Sequence, residues 1–178
     1  MNIFAVKEMS GWRKLVLTLH YTWIQLVLSV LVISMSHEQH VSSASSDALR
    51  GILEQRGAAQ LFILAVLAAP VMEELIFRFA LYNILRWTIA AVLDCAAVSS
   101  ATSRAVSVGS AIAISALFFA NAHGETTVTM FIGHAIFGVA AAHLYFKTGT
   151  IGAPMLMHAL NNFVPFSIMV LAAQAGVA

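Results

Sequence analysis

The chain has 178 residues, of which 60% are hydrophobic and only 10% charged, with a formal net charge of +1. A water-soluble domain carries about 25% charged residues, so most of this chain has no means of facing water. The balanced charge leaves no electrostatic case for nucleic acid, and the single cysteine, Cys95, excludes an internal disulfide and any cysteine-cluster metal site.

The first apolar run opens near Leu15, behind Lys7, Arg13 and Lys14, and continues to about Met35. It is too long for the apolar core of a signal peptide and reads as a retained membrane helix over 14–35. Ser36 to Gly57 is rich in Ser, Glu, Asp and His and reads as a water-facing loop, with an amphipathic turn over Asp47 to Gln55. A second helix is predicted over 58–85, interrupted by Pro70 and by Glu73, Glu74 and Arg78. Residues 87–103 start apolar but carry Asp94 and a Ser/Ala-rich end; they fall short of the about 20 residues that a span needs. Three more helices are predicted over 105–122, 127–146 and 152–173, with turns at Gly124-Glu125 and Lys147-Thr148-Gly149.

The resulting expectation is an all-α, polytopic transmembrane helical bundle of five spans, or six if residues 87–103 cross. Only helices or closed barrels satisfy the backbone in lipid, and these runs are too long and unbroken for barrel strands. An N-terminal helix and polar loop (1–57) precede a helical core (58–178). With a cytoplasmic N-terminus, five spans put Lys7, Arg13, Lys14, Arg86, Arg104 and Lys147 inside, and Arg50 and Arg56 outside. That basic bias is the one expected of a multi-pass protein; the expected location is a prokaryotic inner or plasma membrane.

Ionisable residues within a membrane helix cost roughly 2.5–3.5 kcal/mol each on insertion scales. The second helix holds three within six positions: Glu73, Glu74 and Arg78. Residues four apart share a helix face, so Glu74 and Arg78 can pair, with the acid in the favourable N-terminal position. Glu73 points about 100° away from Glu74 and has no basic partner on its own helix, which suits a general base. Phe119 and His123 share one face at the end of the next helix, and His158 and Asn162 share one face of the last. Pro70, Pro154 and Pro165 lie beside these positions, and irregular backbone at membrane depth is tolerated around buried or water-lined cavities. A polar cavity is therefore expected where the three helices meet. Its chemistry would be amide hydrolysis: Glu73 taking a proton from water, His123 sharing the water's orientation, and His158 and Asn162 donating to the oxyanion. Neither G-x-S-x-G nor H-E-x-x-H is present. The structural alternatives are an ion-pair network for the charged trio and interhelical hydrogen bonding for His158 and Asn162. His134 and His143 are nine apart, cannot both face one site, and read as packing or interface residues; Gly133 and Gly138 read as close-packing positions.

These residues form three motifs, E-E-x-x-x-R (Glu73, Glu74, Arg78), F-x-x-x-H (Phe119, His123) and H-x-x-x-N (His158, Asn162). In this order, with Ala69-Pro70-Val71-Met72, Phe131-Ile132-Gly133 and Phe146 to Gly149 around them, the chain resembles the CPBP family of CAAX-protease and bacteriocin-processing membrane proteins over roughly residues 60–165. The resemblance implies an intramembrane glutamic endopeptidase. Glu73 and His123 would activate water, His158 and Asn162 would form the oxyanion site, and Glu74 and Arg78 would support it. Phe79 stands where that family commonly has glycine, and little chain follows the core. The implied partners are membrane lipid and a membrane-associated peptide or protein substrate, with no cofactor. The alternatives are a zinc metalloprotease using Glu73, His123 and His158, and a non-catalytic immunity factor or scaffold on the same fold.

Overall fold

The computed structural model describes residues 9–35, 44–125 and 127–176. Every element among them is helical: α1 (Gly11–Met35), α2 (Ala44–Leu61), a π-helical segment π1 (Phe62–Ala68), α3 (Ala69–Glu74), a second π-helical segment π2 (Leu75–Tyr82), α4 (Asn83–Cys95), α5 (Ser100–Ala122), α6 (Val128–Thr148) and α7 (Gly152–Gln174). Five helices are long and apolar enough to cross a membrane: Gly11–Met35, Asp47–Cys95, Ser100–Ala122, Val128–Thr148 and Gly152–Gln174. The five-span expectation holds. Residues 87–95 extend the second span, and α5 begins at Ser100 after a short turn, so no sixth crossing intervenes.

The expectation for residues 36–43 lies outside the described residues, but the rest of the expected loop is helical. Residues 44–56 form a helix that meets the next at Gly57, whose φ of 81° and ψ of 168° kink the chain. Glycine carries no steric cost there. The candidate span Asp47–Cys95 has 49 residues, or about 74 Å at 1.5 Å per residue. That greatly exceeds the roughly 30 Å hydrocarbon layer, so the polar stretch ahead of Gly57, with Arg50, Glu54 and Arg56, has no need to enter lipid.

The second span is not interrupted at Pro70 as the sequence suggests. Proline falls in the first turn of α3, inside a helix that the two π segments keep continuous, and it costs that helix one backbone hydrogen bond. Leu61, Val66, Pro70, Glu74, Arg78 and Tyr82 form its buried face. In a regular α-helix a four-residue step drifts by about 40°. The wider π turns offset that drift, so Glu74, Arg78 and Tyr82 all stay turned toward the neighbouring helices.

The core centres on Phe119, Phe137, Ala141, Leu144, Ala153 and Met157, contributed by α5, α6 and α7. Leu17 and Tyr21 of α1 pack against it, and a 2.8 Å hydrogen bond between the Tyr21 hydroxyl and His143 Nδ1 ties α1 to α6. Large apolar side chains on the outside, including Trp23, Leu31, Ile76, Phe79, Phe118 and Ile168, are exposed, as a lipid-facing surface requires. Gly138 sets the closest helix approach: a Cβ there would lie 2.8 Å from Ala116 Cα and 2.9 Å from its Cβ. Gly133, expected to share this role, has open space around it; five residues from Gly138, it faces elsewhere on the helix.

Gly138→Ala is therefore expected to destabilise the bundle by about 1–3 kcal/mol through overpacking, while Gly133→Ala leaves it unchanged. Thermal unfolding of the two variants in detergent checks this, and equal melting temperatures would refute the close-approach argument.

Candidate active site

Glu74 and Arg78 lie one turn apart, as their spacing requires, and both side chains are sealed from solvent, at 0% and 1% exposure. Arg78 Nε stands 3.1 Å from Glu74 Oε2, close in distance but not aligned as a hydrogen bond. The guanidinium lies 4.2 Å from the Phe119 ring centroid, with Phe77 at 5.9 Å and Phe137 at 5.6 Å. Aromatic faces attract a desolvated cation. They offset part of the cost of Nη1 and Nη2, which have no hydrogen-bond partner among the described residues. The other Glu74 oxygen, Oε1, accepts a 2.9 Å hydrogen bond from His158 Nδ1. One buried carboxylate thus faces a guanidinium on its own helix and an imidazole on α7.

His123 follows the last residue of α5, and its Nδ1 is 2.8 Å from the Phe119 carbonyl oxygen. A carbonyl only accepts, so Nδ1–H is the donor and the neutral ring carries its lone pair on Nε2. That nitrogen is 3.8 Å from Glu73 Oε2, and His158 Nε2 is also 3.8 Å from the same oxygen. Glu73 is 29% exposed and His123 20%, whereas His158 is nearly sealed. The structure therefore brings together Glu73 from α3, His123 from the end of α5 and His158 from α7. Each imidazole is anchored through Nδ1, and each turns Nε2 toward one carboxylate oxygen. At 3.8 Å the groups are beyond direct hydrogen bonding, a separation at which a bridging water is to be considered. Phe119, fully buried, touches both rings, with centroids 4.5 Å from His123 and 5.7 Å from His158. Among the described residues, no group of three or more His, Cys, Asp or Glu is arranged to hold a metal ion.

Asn162 lies one turn beyond His158, but its contact is with the backbone of π1: Nδ2 donates to the Ala65 carbonyl at 3.0 Å. The reason is local. In this wide-turn register Ala69 N–H reaches back five residues to Leu64 O. The next donor in the series would be residue 70, reaching Ala65 O, but Pro70 has no N–H. The Asn162 amide supplies the missing hydrogen bond. Phe79 points outward, 58% exposed, so its bulk at a position where a relative would carry glycine does not fill the site.

Two residues passed over in the sequence stand against this cluster. His134 of α6, assigned there to packing, stacks on His123 with centroids 4.0 Å apart and planes at 24°. Glu125, in the turn after α5, places Oε1 3.3 Å from His134 Nδ1. Burial pushes the Glu125 carboxyl above its usual range, partly countered by nearby His123. His143, nine residues from His134, bonds Tyr21 instead, so the two histidines do not share a site. Two open hollows lie away from this cluster, one lined by Arg50, Glu54, Met169 and Gln174, the other by Trp87, Asp94, Ser103 and Arg104.

Five membrane-length helices with ionisable groups from three of them gathered around buried aromatic rings define a multi-pass membrane protein with a polar interior site. Residues 55–164 match the model of the family described as type II CAAX prenyl endopeptidase Rce1-like, and the chain belongs to that family. It is thus a CAAX-type intramembrane protease, a peptidase of peptide or protein substrates. No curated protein and no solved structure matches the chain. All the motif residues fall inside the matched segment, and α1 lies outside it.

Removing one partner from a buried charge pair costs about 3–5 kcal/mol, because the other charge is left uncompensated. Arg78→Ala is expected to lower folded yield as well as activity, which size-exclusion profiles of purified protein would reveal; a normal profile with activity alone lost would contradict a supporting role. A second outcome follows from the Ala65 carbonyl. Pro70→Ala restores an N–H to that position, so Asn162→Ala should cost less stability in the Pro70→Ala background than alone. The expected coupling is about 0.5–1.5 kcal/mol, the worth of one hydrogen bond, read from a double-mutant cycle of unfolding free energies; strictly additive effects would refute the compensation.

Proposed function

We propose that the chain hydrolyses a peptide bond of a membrane-associated peptide or protein as a glutamic endopeptidase, with Glu73 and His123 activating water and His158 and Asn162 forming the oxyanion site. The observation that carries this reading is the meeting of Glu73 Oε2 with Nε2 of two histidines from separate helices, each at 3.8 Å. Glu73 is the partly exposed acid of the pair, at 29%, and its Oε2, sealed and without a hydrogen-bond partner among the described residues, is the oxygen that faces the two histidines. Its carboxylate accepts the proton of a water that the His123 Nε2 lone pair helps to orient, and the oxygen attacks the scissile carbonyl. Glu73 then returns the proton to the leaving amine.

His158 has given its Nδ1–H to Glu74, so Nε2 accepts when the ring is neutral and donates only when it is doubly protonated. Donation to a developing oxyanion uses the protonated ring, with the Glu74 carboxylate facing its charge. Asn162 has one amide N–H committed to Ala65 and a second that is free to donate. Holding the amide through the first fixes the direction of the second, the preorganisation that oxyanion stabilisation depends on. The family description makes a prenylated CAAX-type end the first substrate to test.

Glu73, His123 and His158 are also zinc-ligand types, with Nδ1 of each histidine held as in many zinc sites. Ligands around a tetrahedral zinc with bonds of about 2.0–2.1 Å stand roughly 3.3–3.5 Å apart, less than the separations here. The decisive experiment is cleavage of a prenylated CAAX peptide by purified protein in liposomes, comparing wild type with Glu73→Gln. A fall in kcat of at least about 100-fold is expected, with folding intact and wild-type activity insensitive to chelator. Cleavage at the normal rate by Glu73→Gln would remove Glu73 from the chemistry. Loss of wild-type activity to chelator and its return with zinc would replace the glutamic mechanism by the metal one.

A further inference from the structure

His134 and Glu125 belong to none of the three motifs, yet they lie together beside His123. His123 stands at an exposed end: α5 stops at Ala122, and Gly124 has a φ of 60°. One hydrogen bond, from Nδ1 to the Phe119 carbonyl, holds its ring. That bond limits but does not fix the ring plane, and a tilt of the imidazole about it would swing Nε2 away from Glu73. Two rings add restraint: Phe119, tilted at 52° with centroids 4.5 Å apart, and His134, which alone stacks near-parallel on the imidazole, at 4.0 Å and 24°.

His134 is itself pinned. Its Nδ1 lies 3.1 Å from the Met130 carbonyl oxygen and 3.3 Å from Glu125 Oε1. The Met130 carbonyl only accepts, so Nδ1–H donates to it, and Glu125 Oε1 lies close to the same nitrogen without an aligned hydrogen bond. The Glu125 side chain, only 2% exposed, is folded inward against His134 rather than out toward water. The turn therefore returns on itself: the chain leaves His123, turns at Gly124, and places an acid beside the ring stacked on His123.

We infer that His134, held by the Met130 carbonyl with Glu125 packed beside it, is a positioning residue that fixes the plane of the His123 imidazole. The inference rests on the proposed role of His123. A flat ring at residue 134 is what the function requires. A side chain of similar size without a flat face fills the space but lets the imidazole tilt. Misplacement of a reacting group by about 1 Å can cost on the order of 100-fold in rate.

The test compares His134→Phe with His134→Leu, both in liposomes with a prenylated CAAX peptide. His134→Leu should lose kcat by about 10- to 100-fold with KM within about 3-fold of wild type, and His134→Phe should recover most of that loss. A parallel readout needs no substrate: the rate at which diethyl pyrocarbonate modifies His123, followed by mass spectrometry, should rise several-fold in His134→Leu and stay near wild type in His134→Phe. The proposal is overturned if Leu and Phe behave alike in both measurements, or if Leu retains wild-type kcat. Glu73→Gln is run alongside: if it keeps full activity, the water-activating reading itself fails, whereas its inactivity beside an unaffected His134→Leu defeats only the positioning role.

Discussion

The site depends on one buried carboxylate. Glu74 has no exposed surface, faces Arg78 on its own helix and accepts the Nδ1 hydrogen of His158 on α7. An ion pair in a nonpolar interior is a poor source of stability, since well-packed apolar residues of similar volume are often as good or better. What the carboxylate supplies instead is direction. Hydrogen bonding fixes which edge of His158 turns toward Glu73, and the charge on Arg78 is fixed above Phe119, whose ring also touches His123. One acid thus orients His158 directly, and the cation it faces lies over the ring that packs against His123.

The unusual helix geometry around this acid has a related logic. Glu73, Glu74 and Arg78 lie between and within two π-helical segments, and π-bulges are frequent at functional sites. Wide turns let the buried face run at four-residue spacing without drifting. They also leave a carbonyl at Ala65 that Pro70 cannot serve. Asn162, from the helix that carries His158, serves it. A local defect in the second span becomes a hydrogen bond between two helices of the site, and the same asparagine is oriented by it.

The sequence revealed what sits on single helices. The pairing of Glu74 with Arg78 and the shared face of Phe119 and His123 follow from i,i+4 geometry, so both were visible without coordinates. The membrane spans were visible because apolar length is a strong signal. Contacts between helices were not legible: the bond from His158 to Glu74, that from Asn162 to Ala65 and the stack of His134 on His123 depend on crossing angles and register that no spacing rule encodes. His134 was set aside because it had to be weighed against His143 on one ideal helix, and nothing in that comparison pointed to a neighbouring imidazole. The helix ahead of Gly57 was legible only as an amphipathic turn over Asp47 to Gln55. Leu49, Ile52 and Leu53 make a short apolar stripe, but the Ser, Glu and Arg around it have the composition of a loop.

Glu73 and Glu74 show how environment divides identical side chains. They are adjacent, so they project about 100° apart, and that angle decides their surroundings. One meets Arg78 and His158 and is cut off from water; the other lies 29% exposed before two Nε2 atoms. Hydrolysis needs an acid that water can reach and that no fixed cation holds. Glu74 fails both requirements; Glu73 has a partly exposed side chain and no basic partner one turn away, with its Oε2 sealed before the two Nε2 atoms. Exchanging the two roles would demand rotating the helix by more than a quarter turn, which would carry Arg78 away from Phe119 and Phe137 toward the lipid. The packing of that guanidinium therefore determines which of the two acids faces the Nε2 atoms of both histidines.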